Sequence, residues 1–178
     1  MTTLAERIPP QVPSLPTWPE QPEPVDTAGS SFLVFALGGD PATAAVARAW
    51  VEEAEGIGPT TLGVVDRIDC PEDLATVESL VDRARTGVRV MIVGGQFDIL
   101  QALAVLRRRG ALDSEVRRFV TDFTEIPVFC AHCQTIFRAV TMPGGASTCT
   151  TCARPLEVHE HLASQLGAFL ASYSGERP

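Results

Sequence analysis

From Phe32 onward, continuous apolar runs of strand length alternate with stretches whose apolar residues recur at helical spacing. "SFLVFAL" ends at Gly38 and Gly39, and Asp40-Pro41 then opens "PATAAVARAWVEEAEG", since Asp before Pro is a helix-start signal. "TTLGVVD" reads as a second buried strand. "PEDLATVESLVDRARTG" reads as a helix with Leu74, Val77, Leu80 and Val81 on one face. "VRVMIVGG" is a third strand, "QFDILQALAVLRRRG" a helix from about Phe97 to Arg109 closed by Gly110, and "EVRRFVTDF" a last strand. Strands alternating with helices predict an α/β unit, a short parallel sheet with helices on its faces, over residues 31–125.

The two flanks read differently. Residues 1–30 carry Pro9, Pro10, Pro13, Pro16, Pro19, Pro22 and Pro24 between isolated apolar residues such as Leu15 and Trp18. Proline lacks an amide donor and restricts its predecessor, so a flexible tail is expected there, or an extended strap laid along a partner through Leu15 and Trp18. At the other end, Val158, Leu162, Leu166, Phe169 and Tyr173 recur at helical spacing and predict a C-terminal amphipathic helix. With what precedes it, that helix forms a third unit over residues 126–178.

That third unit holds the strongest chemical signal. Cys130, Cys133, Cys149 and Cys152 form Cys-x2-Cys-x15-Cys-x2-Cys, in which each pair can fold as a knuckle and the intervening residues as a hairpin that brings the knuckles together. "TIFRAV" supplies a strand of that hairpin and Met142-Pro143-Gly144-Gly145 its turn. A structural zinc ribbon is the expected result. The alternatives are a rubredoxin-type iron, whose knuckles usually carry Pro and Gly that "CAHC" and "CTTC" lack, and four unliganded thiols. A plant-type [2Fe-2S] spacing is absent, and a thioredoxin-like pair would sit at a helix start. His132 lies between two ligands and is expected at the surface. His159 and His161, two apart on a helix, would not share a face or a metal. Cys70, alone after a strand, is expected to be a small core residue.

Composition narrows the class of partner. A net charge of −8 and a pI near 4.8 exclude a phosphate-binding face for nucleic acid; all fourteen basic residues are arginines. No apolar run approaches the roughly 20 residues of a bilayer span, and the N-terminus lacks the apolar block of a secretory signal, so a cytoplasmic setting with reduced thiols is expected.

In a parallel sheet the strand C-termini form the usual ligand edge, and Gly38, Gly39, Gly94 and Gly95 all fall there as weak cofactor-binding candidates. "FLVFALGGDPATAAVARAWVEE" and "VMIVGGQFDILQALAVLRRRGALDSEVRRFVTDF" resemble the start and end of the pyridine-nucleotide domain of ferredoxin reductase-like flavoenzymes. Val93, Gly94 and Gly95 stand where that family has Cys-Gly-Pro, so the thiol beside the flavin is absent. Asp40 and Pro41 follow Gly39 in place of the Gly-x-Thr-Pro that receives the pyrophosphate, and residues 66–88 leave room for one helix but not for the family's extra strand. The flavin-binding barrel is absent too. The resemblance implies a degenerate domain to which NADPH does not bind.

"VFCAHCQTIFRAV", "CTTC" and "LEVHEHLASQLGAFLASY" together resemble the C-terminal segment of the DmmA-type subunits of dimethylamine monooxygenase. What this resemblance implies is an accessory subunit, with no catalytic residues of its own, of a bacterial enzyme that converts dimethylamine to methylamine and formaldehyde using O2 and NADPH. Haem, flavin and [2Fe-2S] centres are then expected on partner subunits. The rival classes are a rubredoxin-like electron carrier and a pyridine-nucleotide-binding reductase fragment.

Overall fold

The computed structural model describes residues 14–175. Strand β1 (Ser31–Leu37) leads into α1 (Pro41–Glu55), β2 (Thr60–Val65), α2 (Pro71–Asp82), β3 (Val88–Gly95) and α3 (Gln96–Arg108). After a 3-10 turn at Asp113–Glu115 comes β4 (Val116–Asp122). These four strands are all parallel, in the order β2-β1-β3-β4, as the alternation of elements predicts. β1 and β3 occupy the centre and are buried almost throughout, which is why each reads as an unbroken apolar run.

A second sheet follows, with β5 (Ile126–Cys130), β6 (Ile136–Ala139), β7 (Ala146–Thr148), β8 (Pro155–Ala163) and β9 (Ala168–Tyr173) in the order β6-β5-β9-β8-β7. The segment expected to be a C-terminal helix is therefore two antiparallel strands. The helical stripe was an accident of spacing. β8 begins with a period of two, Leu156 and Val158 buried and Pro155 and Glu157 exposed, and then shifts register before Leu162. β9 lies between β5 and β8, so both of its edges are paired, and it is buried over most of its length, so "AFLASY" carries no clean alternation. The turn between the two strands is also held from outside. A side chain at Gly167 would meet the Leu100 carbonyl oxygen at 2.3 Å, and the Gln101 amide donates to the carbonyls of Leu166 and Gly167 at 3.1 and 2.8 Å. The C-terminal unit is accordingly larger than a hairpin with a helix; it is a five-stranded sheet with its own buried cluster around Ile126, Val128, Leu156, Val158 and Phe169.

α3 lies between the two sheets. Phe97, Ile99, Leu103 and Leu106 pack into the core shared with the parallel sheet, while Leu100 enters the cluster of the second sheet. A helix covered on several sides must be apolar around most of its circumference, as "FDILQALAVL" is.

The proline-rich segment is also corrected where it is described. Pro9, Pro10 and Pro13 lie outside the described residues, but residues 14–30 form a strap along this chain itself. Ser14 donates to the Glu160 carbonyl at 2.8 Å and accepts from the Leu162 amide at 2.9 Å. Trp18 packs against the cores of both sheets, with the Arg118 guanidinium 5.9 Å from its ring centre. Farther along, Val25 is buried beside Trp50, the Trp50 indole donates to the Glu23 carbonyl at 2.9 Å, and Arg89 pairs with Asp26 at 2.6 Å. Proline keeps the segment out of regular structure without keeping it off the surface.

Truncating a side chain at the centre of the second sheet tests this arrangement. Phe169 is fully buried, and Phe169→Ala is expected to cost about 3–5 kcal/mol of unfolding free energy in a urea titration. The exposed Tyr173 of the same strand should lose under about 1 kcal/mol on replacement by Ala, whereas comparable losses at the two positions would contradict the strand assignment.

Candidate functional site

The four cysteines come together as their spacing predicts, and local backbone bonding shows how. Cys130 ends β5. Its N–H donates to the Thr135 carbonyl at 3.0 Å and its carbonyl accepts from the Gln134 N–H at 2.8 Å. Cys149 repeats the pattern: its N–H donates to the Arg154 carbonyl at 2.9 Å, and its carbonyl accepts from the Ala153 N–H at 2.9 Å. In each turn the residue four after the first cysteine has positive φ, 59° at Gln134 and 55° at Ala153. These are two copies of one knuckle, each held in a left-handed conformation that costs a non-glycine residue roughly 1–2 kcal/mol. A bond network that over-determines the turn sustains that strain.

The sulfurs of Cys130 and Cys152 are 3.8 Å apart, those of Cys133 and Cys149 are 3.6 Å apart, and all four lie within 4.8 Å of one another. A tetrahedral site with metal–sulfur bonds of about 2.3 Å has sulfur–sulfur edges of about 3.8 Å. A disulfide would need about 2.05 Å. The quartet therefore fits one tetrahedral metal ion and no disulfide. Cys130 and Cys149 are buried while Cys133 and Cys152 are half-buried, so each knuckle contributes one inner and one outer sulfur. Their acidities diverge. The Thr135 side chain beside Cys133, aided by the Cys149 sulfur and against the effect of burial, lowers its thiol to about 6. At Cys152 the Arg154 backbone favours the thiolate, but burial and the three neighbouring sulfurs push the thiol up to about 11. All four sulfurs could ionise together only around a shared cation.

His132 is exposed, as expected. His159 lies in β8 and its Nε2 is 2.8 Å from the Ser172 hydroxyl of β9. Neither it nor His161 joins the sulfur cluster. Cys70 is the N-cap residue of α2 and only half-buried, a helix boundary rather than a core position.

Gly38, Gly39, Gly94 and Gly95 do fall at the carboxyl edge of the parallel sheet, where β1 turns toward β2 on one side and β3 lies on the other. That is the switch point at which an open α/β sheet admits a ligand. Gly94 has a packing reason, because a Cβ there would meet the Leu37 carbonyl oxygen at 2.3 Å. The edge itself is occupied by the protein's own groups. At the start of α1, the Thr43 amide donates to Asp40 Oδ1 at 2.9 Å, the Thr43 hydroxyl bonds Oδ2, and the Thr121 hydroxyl lies 2.8 Å from that of Thr43. Burial opposes ionisation of Asp40, but these bonds together hold its carboxyl below the usual range. An anion is thus already seated where a phosphate would sit.

At the start of α3 stands Asp98, 5 % exposed, and it receives a residue that sequence reasoning missed. Arg138, on β6 of the second sheet, donates Nη1 to Asp98 Oδ2 at 3.0 Å and Nη2 to Asp98 Oδ1 at 2.8 Å. The same guanidinium reaches Asp69 Oδ1 and Glu125 Oε2, each at 3.0 Å, and its carbon lies 3.8 Å from the Phe97 ring centre. Asp98 also accepts from the Ile68 amide at 3.1 Å. The only cue in the sequence was a carboxylate inside the apolar start of α3 and a charge between Phe137 and Ala139. Asp69 is opposed by burial yet drawn by Arg67 and Arg138 down to about 2.

Residues 127–171 match the family described as dimethylamine monooxygenase subunit DmmA-like, C-terminal domain. This segment is similar to the DmmA-like C-terminal domain. It takes in both knuckles and Arg138, and it runs from β5 into β9. A curated relative, the heme-dependent oxidative N-demethylase delta subunit of Ectopseudomonas mendocina (strain ymp), is 34% identical over 87 residues, 49% of this chain and 49% of the relative. The chain thus aligns with about half the length of that relative. Among solved structures, phthalate dioxygenase reductase superposes with a TM-score of 0.38 at 16% identity, covering 65% of this chain and 46% of that one.

Asp98 and Arg138 make a direct test of how the second sheet is joined to the parallel sheet. Asp98→Ala leaves a guanidinium short of its main partner and is expected to destabilise by about 3–5 kcal/mol, while Asp98→Leu combined with Arg138→Met loses much less. Asp69 sets the acid limb. Its folded carboxyl lies near 2 against 3.8 for the free group, so its contribution is whole above 3.8 and is lost as pH falls toward 2. Asp69→Asn should therefore flatten the thermal midpoint's fall across that window.

Proposed function

We propose that this chain is an accessory subunit of a haem-dependent oxidative N-demethylase acting on dimethylamine. It consumes O2 and NADPH only through its partners, which carry the haem, flavin and [2Fe-2S] centres. The observation that carries the reading is the DmmA-like domain of residues 127–171, whose Arg138 is seated in the ligand edge of the parallel sheet. An edge where Asp40 caps α1 and Asp98, in the first turn of α3, is held by Arg138 favours contact work over nucleotide chemistry. The relative named as a delta subunit supports membership of a multi-subunit enzyme. No described helix is long and apolar enough to cross a membrane, which accords with a cytoplasmic assembly.

Cys130, Cys133, Cys149 and Cys152 would hold the metal, which we assign as zinc. Its chemistry there is to cross-link two turns of a small sheet and neutralise their thiolates. One zinc per chain is expected from elemental analysis of the purified protein, and Cys149→Ser should lose the metal together with the near-ultraviolet signal of the second sheet. Stoichiometric iron with a thiolate-to-iron absorption band would instead support the rubredoxin-like reading.

Co-expression with the haem-bearing and reductase chains is expected to give a complex that survives gel filtration and demethylates dimethylamine. The purified chain alone should catalyse nothing and bind no NADPH in calorimetry. Normal turnover by the other chains without it would refute the accessory role, and micromolar NADPH affinity would favour the reductase fragment.

A further inference from the structure

Beside Arg138, at the same carboxyl edge, lies a cavity of about 260 Å³ walled by Gly39, Asp40, Asp66, Gln96, Asp98 and Asp122. We propose that it binds a small organic cation, a guanidinium or alkylammonium head, next to the guanidinium the protein already places there.

Arg138 shows what this edge accepts: a planar cation gripped by carboxylates against an aromatic face. Its partners are Asp98, Asp69 and Glu125. That leaves Asp40, Asp66 and Asp122 on the cavity wall with no cationic partner among the described residues. Asp40 and Asp122 are both held below the usual carboxylate range, Asp122 chiefly by the hydroxyl and amide of Thr124 and despite the charge of Asp40. Both are charged at neutral pH.

A second observation is independent of charge. Gln96 is only 7 % exposed, it lines this cavity, and its side-chain amide makes no hydrogen bond among the described residues. The amide is not sealed from solvent, since among the described residues only Arg117 Nε and Arg138 Nε are buried polar side-chain atoms without a partner; it opens on the cavity and is available to what enters it. A cation bearing N–H groups would donate to its oxygen while facing the carboxylates.

A metal ion fits less well. Among the described residues the cysteine quartet is the one group whose ligand atoms converge closely enough for a single ion, so these carboxylates are too spread for one. They suit a cation whose donors are themselves spread. The volume falls below the roughly 300–1,000 Å³ of sites for drug-sized ligands, which points to a single head group. Guanidinium is also the less strongly hydrated of the common biological cations. The two sources of such a head are a side chain presented by another protein and a free amine. The site does not depend on the subunit assignment above.

The test is a heteronuclear NMR titration of the full chain with N-acetyl-argininamide and, separately, with dimethylammonium chloride, both at constant ionic strength against sodium chloride. Saturable shifts are expected at the amides of Gly39, Gln96 and Asp122. They should weaken about tenfold in Asp66→Asn/Asp122→Asn, a loss equivalent to about 1.4 kcal/mol. Gln96→Leu should weaken them too. Should the double variant misfold, Asp66→Asn alone decides, because the Asp66 side chain is exposed and accepts no hydrogen bond. Preference for the arginine probe identifies a presented side chain, and preference for dimethylammonium identifies a free amine. Shifts that do not saturate, that sodium chloride reproduces, or that these variants leave unchanged would overturn the site.

Discussion

The two sheets are joined at one buried charge. Arg138 leaves the solvent from β6 and is 15 % exposed, yet it finds two oxygens of Asp98, one of Asp69, one of Glu125 and the face of Phe97. Those partners come from α3, from the loop before α2 and from the segment between β4 and β5. A guanidinium is suited to this because its planar fork makes several directed bonds at once and loses little entropy per bond. Burying it without them would be prohibitive. The Arg138 Nε stays buried without a partner, so even this arrangement is not fully satisfied. Such a joint contributes less to net stability than to fixing one relative placement of the two sheets.

That placement explains the rest of the molecule. Once β6 is anchored at the ligand edge, β5 must lie over α3, and Leu100 becomes part of the second core. The turn after β8 then presses on α3, where only Gly167 allows the approach to the Leu100 carbonyl. Trp18 closes the seam from outside, touching both cores, and the strap before β1 follows from that contact. The first knuckle lies in the turn between β5 and β6, and Cys130 ends the very strand that pairs through Pro127 with Arg138, while the second knuckle lies between β7 and β8. The first pair of sulfurs and the ion pairing at the edge thus bear on one hairpin.

Much of this was legible in the sequence, for reasons that differ by element. The parallel sheet was, because central strands buried on both faces must be apolar runs and their connections must be helices. So was the cysteine quartet, since knuckle spacing follows from the geometry of one turn around one ion. The C-terminal strands were not. Val158, Leu162 and Phe169 fit a helical stripe, and what overrides it is tertiary: a pairing of β9 with β5, forty residues earlier, that local periodicity cannot report. Arg138 was missed for the same reason. Its partners lie tens of residues away and were separate polar positions until the fold assembled them. Gln134 and Ala153 also gave no sign of their left-handed turns, because bonds to the backbone of the cysteines impose that conformation where glycine would have announced it.

The electrostatics of the edge bear on what the fold can do. Helix starts carry partial positive charge and free N–H groups, and in a nucleotide domain a phosphate takes both. Here Asp40 takes both at α1, and Asp98 sets a negative charge in the first turn of α3, where Arg138 and the Ile68 amide hold it. To bind a dinucleotide the chain would have to move two carboxylates, break the Arg138 clasp and accept a polyanion into a region already rich in negative charge. Each step opposes the next. The same carboxylates make the edge attractive to positive charge, and a protein of net charge −8 adds a long-range field of the same sign. The carboxyl edge of a parallel sheet, which helix starts make hospitable to anions, is here turned toward positive charge by the carboxylates that line it.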